Sequence, residues 1–181
     1  MKYLKKSAKF YDLTQGVSDF VNYSKFVAKI LKKYKVENVL ELGCGTGLYL
    51  IPLKEYFDIE GLDLSKDMLE VASSKDSKLR LYHQDMSKFK VDNKFDAIIC
   101  MNSSLLLLPS VKHFDKTFKK VNEHLKPEGI FILDVADVDV EIKNWNFTQD
   151  ESSYEIPRGK VDIIRRDYKT LQGLMNFLTK I

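Results

Sequence analysis

The sequence predicts an α/β fold: a doubly wound, mostly parallel sheet with an N-terminal helical cap and a C-terminal antiparallel lid hairpin. Three observations predict it. Short apolar runs alternate with helical patterns from about residue 38 to residue 136. Three glycines, Gly43, Gly45 and Gly47, stand where the first apolar run gives way to the first helical pattern. After about Asp137 the alternation stops, and two strand-like runs follow close together. Strands that alternate with helices imply parallel pairing, helices on both sheet faces and right-handed crossovers.

Residues 1–36 read as helix, because Phe20, Tyr23, Phe26, Val27, Ile30, Leu31 and Tyr34 recur at spacings of three and four. "NVLEL" is a short buried strand, and "GLYLIPLKEYF" a helix with Pro52 in its first turns, where proline is tolerated. "IEGLDL" is the second strand. "SKDMLEVASSK" is a helix with Ser65 as N-cap. "LRLYHQD" and "KFDAIICMN" are the third and fourth strands. "VKHFDKTFKKVNEHLK" is amphipathic, with Val111, Phe114, Phe118, Val121 and Leu125 on one face, and "PEGIFILDVA" is a turn and fifth strand. "DVDVEIKNWNFTQDESSY" is polar and irregular, while "KVDIIRRDYK" and "GLMNFLTKI" form a hairpin around "TLQG". The expected organisation is a helical cap over 1–36, a ligand-binding core over 37–137 and a lid or substrate hairpin over 138–181.

Composition narrows the function classes. The chain has 181 residues, 44% hydrophobic and 30% charged, which is ordinary for a globular domain with its own core. A net charge of +3 carried mostly by lysine is poor material for nucleic acid, since base edges are read best by arginine. There is no apolar run of membrane-spanning length and no secretory leader pattern, so neither a membrane nor a nucleic-acid partner is expected. Cys44 and Cys100 read as free thiols of a reducing, cytoplasmic compartment. His83, His113 and His124 show no ligand spacing, and no metal is expected.

The order strand, Gly-x-Gly-x-Gly, helix carries the chemistry. Glycines let a backbone approach a ligand that a Cβ would push away, and the following helix directs free N–H groups at the same spot. A dinucleotide fingerprint needs its third glycine at Leu48, and a phosphate loop needs a Gly-Lys-Ser/Thr run that is missing. Both of those readings fail.

"ELGCGTG" resembles motif I of the class I S-adenosylmethionine-dependent methyltransferases, a Rossmann-like family. Asp63 in "GLDLSKDML", Asp85 and Met86 in "HQDM", "KFDAIICMNSSL" and "LKPEGIFILDV" match further pieces of that family in order, over roughly residues 35–136. The resemblance implies S-adenosyl-L-methionine as cofactor. Gly43, Gly45 and Gly47 would take its methionine end, Glu41 would lie near its cationic sulfur, and Asp63 would accept both ribose hydroxyls. Leu64, Met68 and Met86 would wall the adenine, Asp85 would read it, and Met101 would be a further cofactor-binding residue. "AKFYDLTQGVSDFVNYSKFV" is similar to the N-terminal lid of small-molecule N-methyltransferases of the amino-sugar and glycine/sarcosine type. By that likeness Tyr11, Tyr23 and Asn102 are candidate catalytic, positioning groups, and the acceptor is a small molecule, most simply an amine.

The family fold continues with two strands and a helix for which no sequence is found after residue 181. The fifth strand is therefore expected to be a bare edge, to be completed by a homo-oligomeric partner. That departure keeps a second reading alive: a methyltransferase-like module that binds cofactor or partner without turnover.

Overall fold

A computed structural model of the protein describes residues 8, 10–15, 17–136, 149–156, 159–166 and 174–180, with the backbone alone beyond residue 134. Among the described residues, the first helices are the short α1 (Tyr11–Thr14) and the long α2 (Val17–Lys33). Then come β1 (Asn38–Leu42), α3 (Leu50–Leu53), β2 (Asp58–Asp63), α4 (Lys66–Lys75), β3 (Arg80–His83) and β4 (Phe95–Cys100). A 3₁₀ turn (Ser104–Leu107), α5 (Val111–His124) and β5 (Leu125–Ala136) follow, and then β6 (Gln149–Ile156), β7 (Gly159–Arg166) and β8 (Leu174–Lys180).

All these strands join one sheet in the order β3-β2-β1-β4-β5-β8-β7-β6. The first five are parallel. The sequence-based expectation of a doubly wound parallel sheet holds. The strand order reverses at β1, so β1 and β4 leave a crevice at their carboxyl ends, where such sheets bind ligands.

Alternation along each strand sorts the core onto two faces. Val39, Ile59, Ile99, Ile130 and Ile132 point one way and meet Phe20, Val27 and Leu31 of α2. Leu40, Leu42, Leu62, Ile98, Phe131 and Leu133 point the other way and meet Val121 of α5 and Phe89. Each fully buried Leu, Ile or Phe side chain contributes on the order of 2 kcal/mol. His124 joins that second face: its Nδ1 faces the Lys120 carbonyl at 2.7 Å and its Nε2 accepts from the Val91 N–H at 3.3 Å, so it ties the end of α5 to the approach to β4.

Several expectations are corrected. The helix read over 47–57 shrinks to α3, because the glycine turn uses residues up to Leu48 and turns resume after Leu53. "QDESSYEI", read as irregular, is strand β6, whose polar residues are held by backbone pairing with β7 rather than by an apolar face. β7 and β8 do pair antiparallel as expected, and β8 also runs antiparallel along β5, from Ile130↔Lys180 to Ala136↔Leu174. The bare edge predicted at β5 is thus covered within the chain, which removes the ground for a partner completing it. No helix among the described residues is long and apolar enough to cross a membrane.

One close approach links the glycine turn to the sheet. A Cβ on Gly61 of β2 would lie 2.8 Å from both Cys44 Sγ and Leu50 Cδ2. Both cysteines are buried free thiols, and Cys44 fills the space that Gly61 leaves. We expect Gly61→Ala to cost about 1–3 kcal/mol in chemical denaturation, and Cys44→Ala in the same chain to recover part of that cost. An unchanged unfolding midpoint for Gly61→Ala would refute this packing account.

Candidate functional site

The site is built on the turn after β1. Gly43, Gly45 and Gly47 have φ of 72°, 54° and 83°, a left-handed backbone that residues with a Cβ adopt at a cost. The turn is bonded across to β2: Gly43 and Cys44 donate their N–H groups to the Leu62 carbonyl at 2.7 and 3.0 Å. The three glycines have different neighbours. A Cβ on Gly43 would meet Ser104 Cβ at 2.8 Å, and one on Gly47 would meet Ile51 at 3.2 Å. A Cβ on Gly45 would meet nothing within 4 Å, so this backbone faces open space. Gly47 packs against Ile51 and Ala72 and lines neither cavity at the site.

Asp63 closes β2 and receives the turn. Its Oδ2 accepts from the Gly45 N–H at 2.8 Å and its Oδ1 from the Ser65 N–H at 2.7 Å. Burial pushes its carboxyl up, and these backbone donors hold it back only in part. Ser65 also caps α4, its Oγ accepting from the Met68 N–H at 3.3 Å, as the sequence predicted. The Met68 side chain turns into the core, only 5% exposed, and does not wall the cleft.

Asp63 and Leu64 open into a cleft of about 620 Å³, the size of a small-molecule site. Asp85 and Met86 form its far wall, with Leu106, Leu107 and His113 along the rim. Asp85 Oδ1 accepts from Ser87 N and Oγ at 2.8 and 2.7 Å. Burial pushes the Asp85 carboxyl up, but these bonds and Lys88 outweigh it and hold it below the usual range. The rim leucines are exposed, Leu107 at 64%; they come from "SLLLLP", which the sequence gave no reason to place beside Asp85.

On the other side of Gly43 lies a narrow cavity of about 30 Å³, room for a water or two. Glu41, Met101, Asn102, Tyr11, Phe20 and Tyr49 enclose it. Glu41 is 1% exposed and its Oε2 has no hydrogen-bond partner. Burial, then the charges of Asp63 and Asp134, push its carboxyl well above the usual range. An orphaned buried carboxylate oxygen in a cavity wall fits a cationic guest. Asn102 Nδ2 donates to the Tyr11 hydroxyl at 3.1 Å, so two of the three candidate catalytic groups meet here. The third does not: Tyr23 is packed in the core between Phe26 and Tyr49, with ring centroids 5.9 and 5.7 Å away, and lines neither cavity. Tyr49 occupies the wall instead, edge-on to Phe20 at 4.9 Å.

The N-terminal segment is clasped over this cavity by contacts that no motif announced. Thr46 Oγ1 donates to Asp12 Oδ1 at 2.5 Å, Lys75 pairs with Asp12, and Lys75 Nζ donates to the Thr46 carbonyl at 2.7 Å. Partly exposed ion pairs of this kind contribute about 0–1 kcal/mol, so Asp12→Ala should leave global stability nearly unchanged. Amide hydrogen exchange across residues 10–15 should nevertheless speed up in that variant. Unchanged exchange there would mean that α1 is held by something other than this clasp.

Residues 39–129, half of the chain, match the methyltransferase domain family. Among curated proteins, the chain is 32% identical over 132 residues to a dTDP-3-amino-3,6-dideoxy-alpha-D-glucopyranose N,N-dimethyltransferase of Streptomyces fradiae, covering 70% of this chain and 52% of that protein. It is 36% identical over 122 residues to a glycine/sarcosine N-methyltransferase of Aphanothece halophytica, covering 64% and 46%. Its fold superposes with a TM-score of 0.72 on an S-adenosylmethionine-dependent methyltransferase of Clostridium acetobutylicum, at 20% identity and 98% coverage of both chains. The chain spans about half the length of the curated relatives it matches.

Proposed function

The chain belongs to the methyltransferase domain family, and from that premise we propose that it is an S-adenosylmethionine-dependent methyltransferase acting on the amine nitrogen of a small molecule. The observation that carries the reading is the Asp63–Gly45 junction: an acid with both oxygens anchored by backbone N–H groups, between a glycine that faces open space and a cleft of ligand size. The amino-sugar and glycine/sarcosine relatives support the amine as acceptor. The proposed reaction is of the EC 2.1.1 class, and the two free thiols support a reducing, cytoplasmic setting. An open sheet edge was the feature that spoke for a module without turnover, and β8 runs along that edge.

When bound, S-adenosylmethionine supplies a methyl group on a cationic sulfur, open to displacement by an amine nitrogen. The residues of the chain bind and orient. Asp63, anchored by the N–H groups of Gly45, Ser65 and Leu64, presents its carboxylate to the ribose hydroxyls as acceptor. Leu64 and Met86 offer apolar walls to the adenine, and Asp85 an acceptor. Glu41 and Met101 lie at the cationic end. Tyr11 and Asn102 hold each other beside that end, where a neutral amine needs alignment and exclusion of water rather than a strong base.

Calorimetry with S-adenosylhomocysteine and with NAD tests the reading. The former should bind and the latter should not; tight NAD binding would overturn the proposal. Asp63→Ala removes charge-assisted bonds worth about 1.5–3 kcal/mol, so affinity for S-adenosylhomocysteine should fall at least about tenfold. Unchanged affinity would show that Asp63 does not hold the ribose.

Glu41 gives a pH dependence whose sign is fixed. Its pKa is raised well above the usual carboxylate range in the free protein, so below that raised pKa it carries a proton that a cationic guest must displace. Affinity for S-adenosylmethionine should therefore rise as pH climbs through the raised pKa, and Glu41→Gln should flatten that rise and weaken S-adenosylmethionine more than S-adenosylhomocysteine. An identical slope in the variant would remove Glu41 from the cationic end.

A further inference from the structure

Asn102 and Ser103 form the tightest backbone feature near the site. Both have positive φ, 55° and 56°, although neither is glycine. Two consecutive left-handed residues with a Cβ cost roughly 1–2 kcal/mol each, so something must hold them. The group that does so lies on β5. Asp134 is fully buried, and its Oδ1 accepts the Ser103 N–H at 2.6 Å, with the Asn102 N–H also bonded to the carboxylate. Its Oδ2 is buried with no hydrogen-bond partner. It lies in the family-like stretch "LKPEGIFILDV", yet the sequence alone assigns it no role, and it lines neither cavity.

We propose that Asp134 is a positioning residue: its carboxylate holds the Asn102–Ser103 turn in the left-handed form that sets the Asn102 amide against the Tyr11 hydroxyl at the narrow cavity. The inference rests on the methyl-transfer reading for its functional consequence, but the device itself is structural and is read without any substrate. Three links make the chain. Asp134 fixes the turn through two N–H groups, the turn presents Asn102 Nδ2, and Nδ2 holds the Tyr11 hydroxyl at 3.1 Å on the opposite wall.

The surroundings make the carboxylate sensitive to protonation. Burial raises its pKa to about 6 against the pull of its backbone donors. The titratable groups that feel its charge are Glu41 on β1, Cys100 on β4 and the phenol of Tyr49, each of which it pushes up. On the other flank β8 sets Phe177, Asn176 and Met175 opposite Leu133, Asp134 and Val135, none of them charged. With the pKa raised, the ionised acceptor is present above about pH 6 and is lost as pH falls through it. The grip on the turn weakens in the same direction.

The test has an arm that needs no ligand. In ¹⁵N NMR of the whole chain, the Asn102 and Ser103 amide protons should move with an apparent pKa near 6 in the wild type, and should not titrate in Asp134→Asn. Flat amides in the wild type would overturn the inference whatever the enzyme does. In the second arm, the wild type is assayed on glycine, sarcosine and a nucleotide-linked amino sugar, with S-adenosylhomocysteine affinity measured alongside. Asp134→Ala should lower kcat about tenfold or more, the scale of a lost buried charge-assisted bond, with S-adenosylhomocysteine affinity within about threefold of wild type. Ser103→Gly added to Asp134→Ala should restore most of the loss, because glycine keeps the left-handed turn without the carboxylate. An Asp134→Ala variant with wild-type kcat, or a double variant no better than the single, would overturn the proposal. If Asp134→Ala does not fold, Asp134→Asn decides: it should lose the acidic limb of the wild-type rate profile near pH 6, and a retained limb counts against Asp134. A wild type that binds S-adenosylhomocysteine yet methylates none of the three amines would instead sink the amine reading, leaving the amide titration as it stands.

Discussion

The hydrogen bond from the Gly45 N–H to the Asp63 carboxylate is the contact on which the site depends. It joins the turn after β1 to the end of β2, and it exists only because the turn is left-handed at three places. With the Gly43 and Cys44 donors on the Leu62 carbonyl, it locks two strand ends into one rim. The helices on both sides are then placed by their own starts: α3 continues the turn, and α4 begins at Ser65, whose N–H holds the second oxygen of the same carboxylate. One acid thus organises the last residues of two strands and the first of two helices. The wide cleft and the narrow cavity lie on either side of that rim and share Gly43 and Ser104 as a common wall.

The arrangement is electrostatically expensive. Glu41, Asp63 and Asp134 come to the carboxyl-terminal side of β1, β2 and β5 in the one sheet, and burial raises the pKa of each. Two of their oxygens have no hydrogen-bond partner. Burying polar groups without partners costs about 1–3 kcal/mol apiece, which would be a defect in a purely structural interior. It is the expected condition of a site whose remaining positive charge arrives with the ligand. The N-terminal segment reinforces this: Tyr11 and Phe20 cover the cavity, and Asp12 is neutralised on Lys75 rather than adding to the negative charge inside.

Sequence reasoning reached the parallel sheet, the glycine turn, the Ser65 cap and the Asp63 junction, because each rests on local chemistry: alternation, left-handed backbone, a short side chain at a helix start. It also named both Tyr11 and Asn102 through family likeness, which the fold brings to one cavity although 91 positions separate them. It gave site roles to Tyr23 and Met68, whose side chains are buried among core residues, since an apolar face on a helix looks the same from sequence whether it meets a ligand or the core. It missed β6, whose polar residues have no period, and the route of β8, since register between distant strands is written in no local pattern. Asp134 was invisible for another reason. In "FILDVA" it reads as one polar residue ending a strand, and only the fold brings it under the Asn102–Ser103 turn.

The packing of Cys44 against Gly61 has a practical side. Its thiol and that of Cys100, the only two in the sequence, are buried, and burial followed by nearby carboxylates raises both far above the range in which thiols react. The folded protein is therefore chemically quiet toward maleimides and iodoacetamides. A single cysteine placed on the exposed face of α1, as in Leu13→Cys at a position 80% exposed, becomes the sole site of labelling without any need to remove the native pair. A fluorophore there would report on the surroundings of α1 beside the cavity on an otherwise native background.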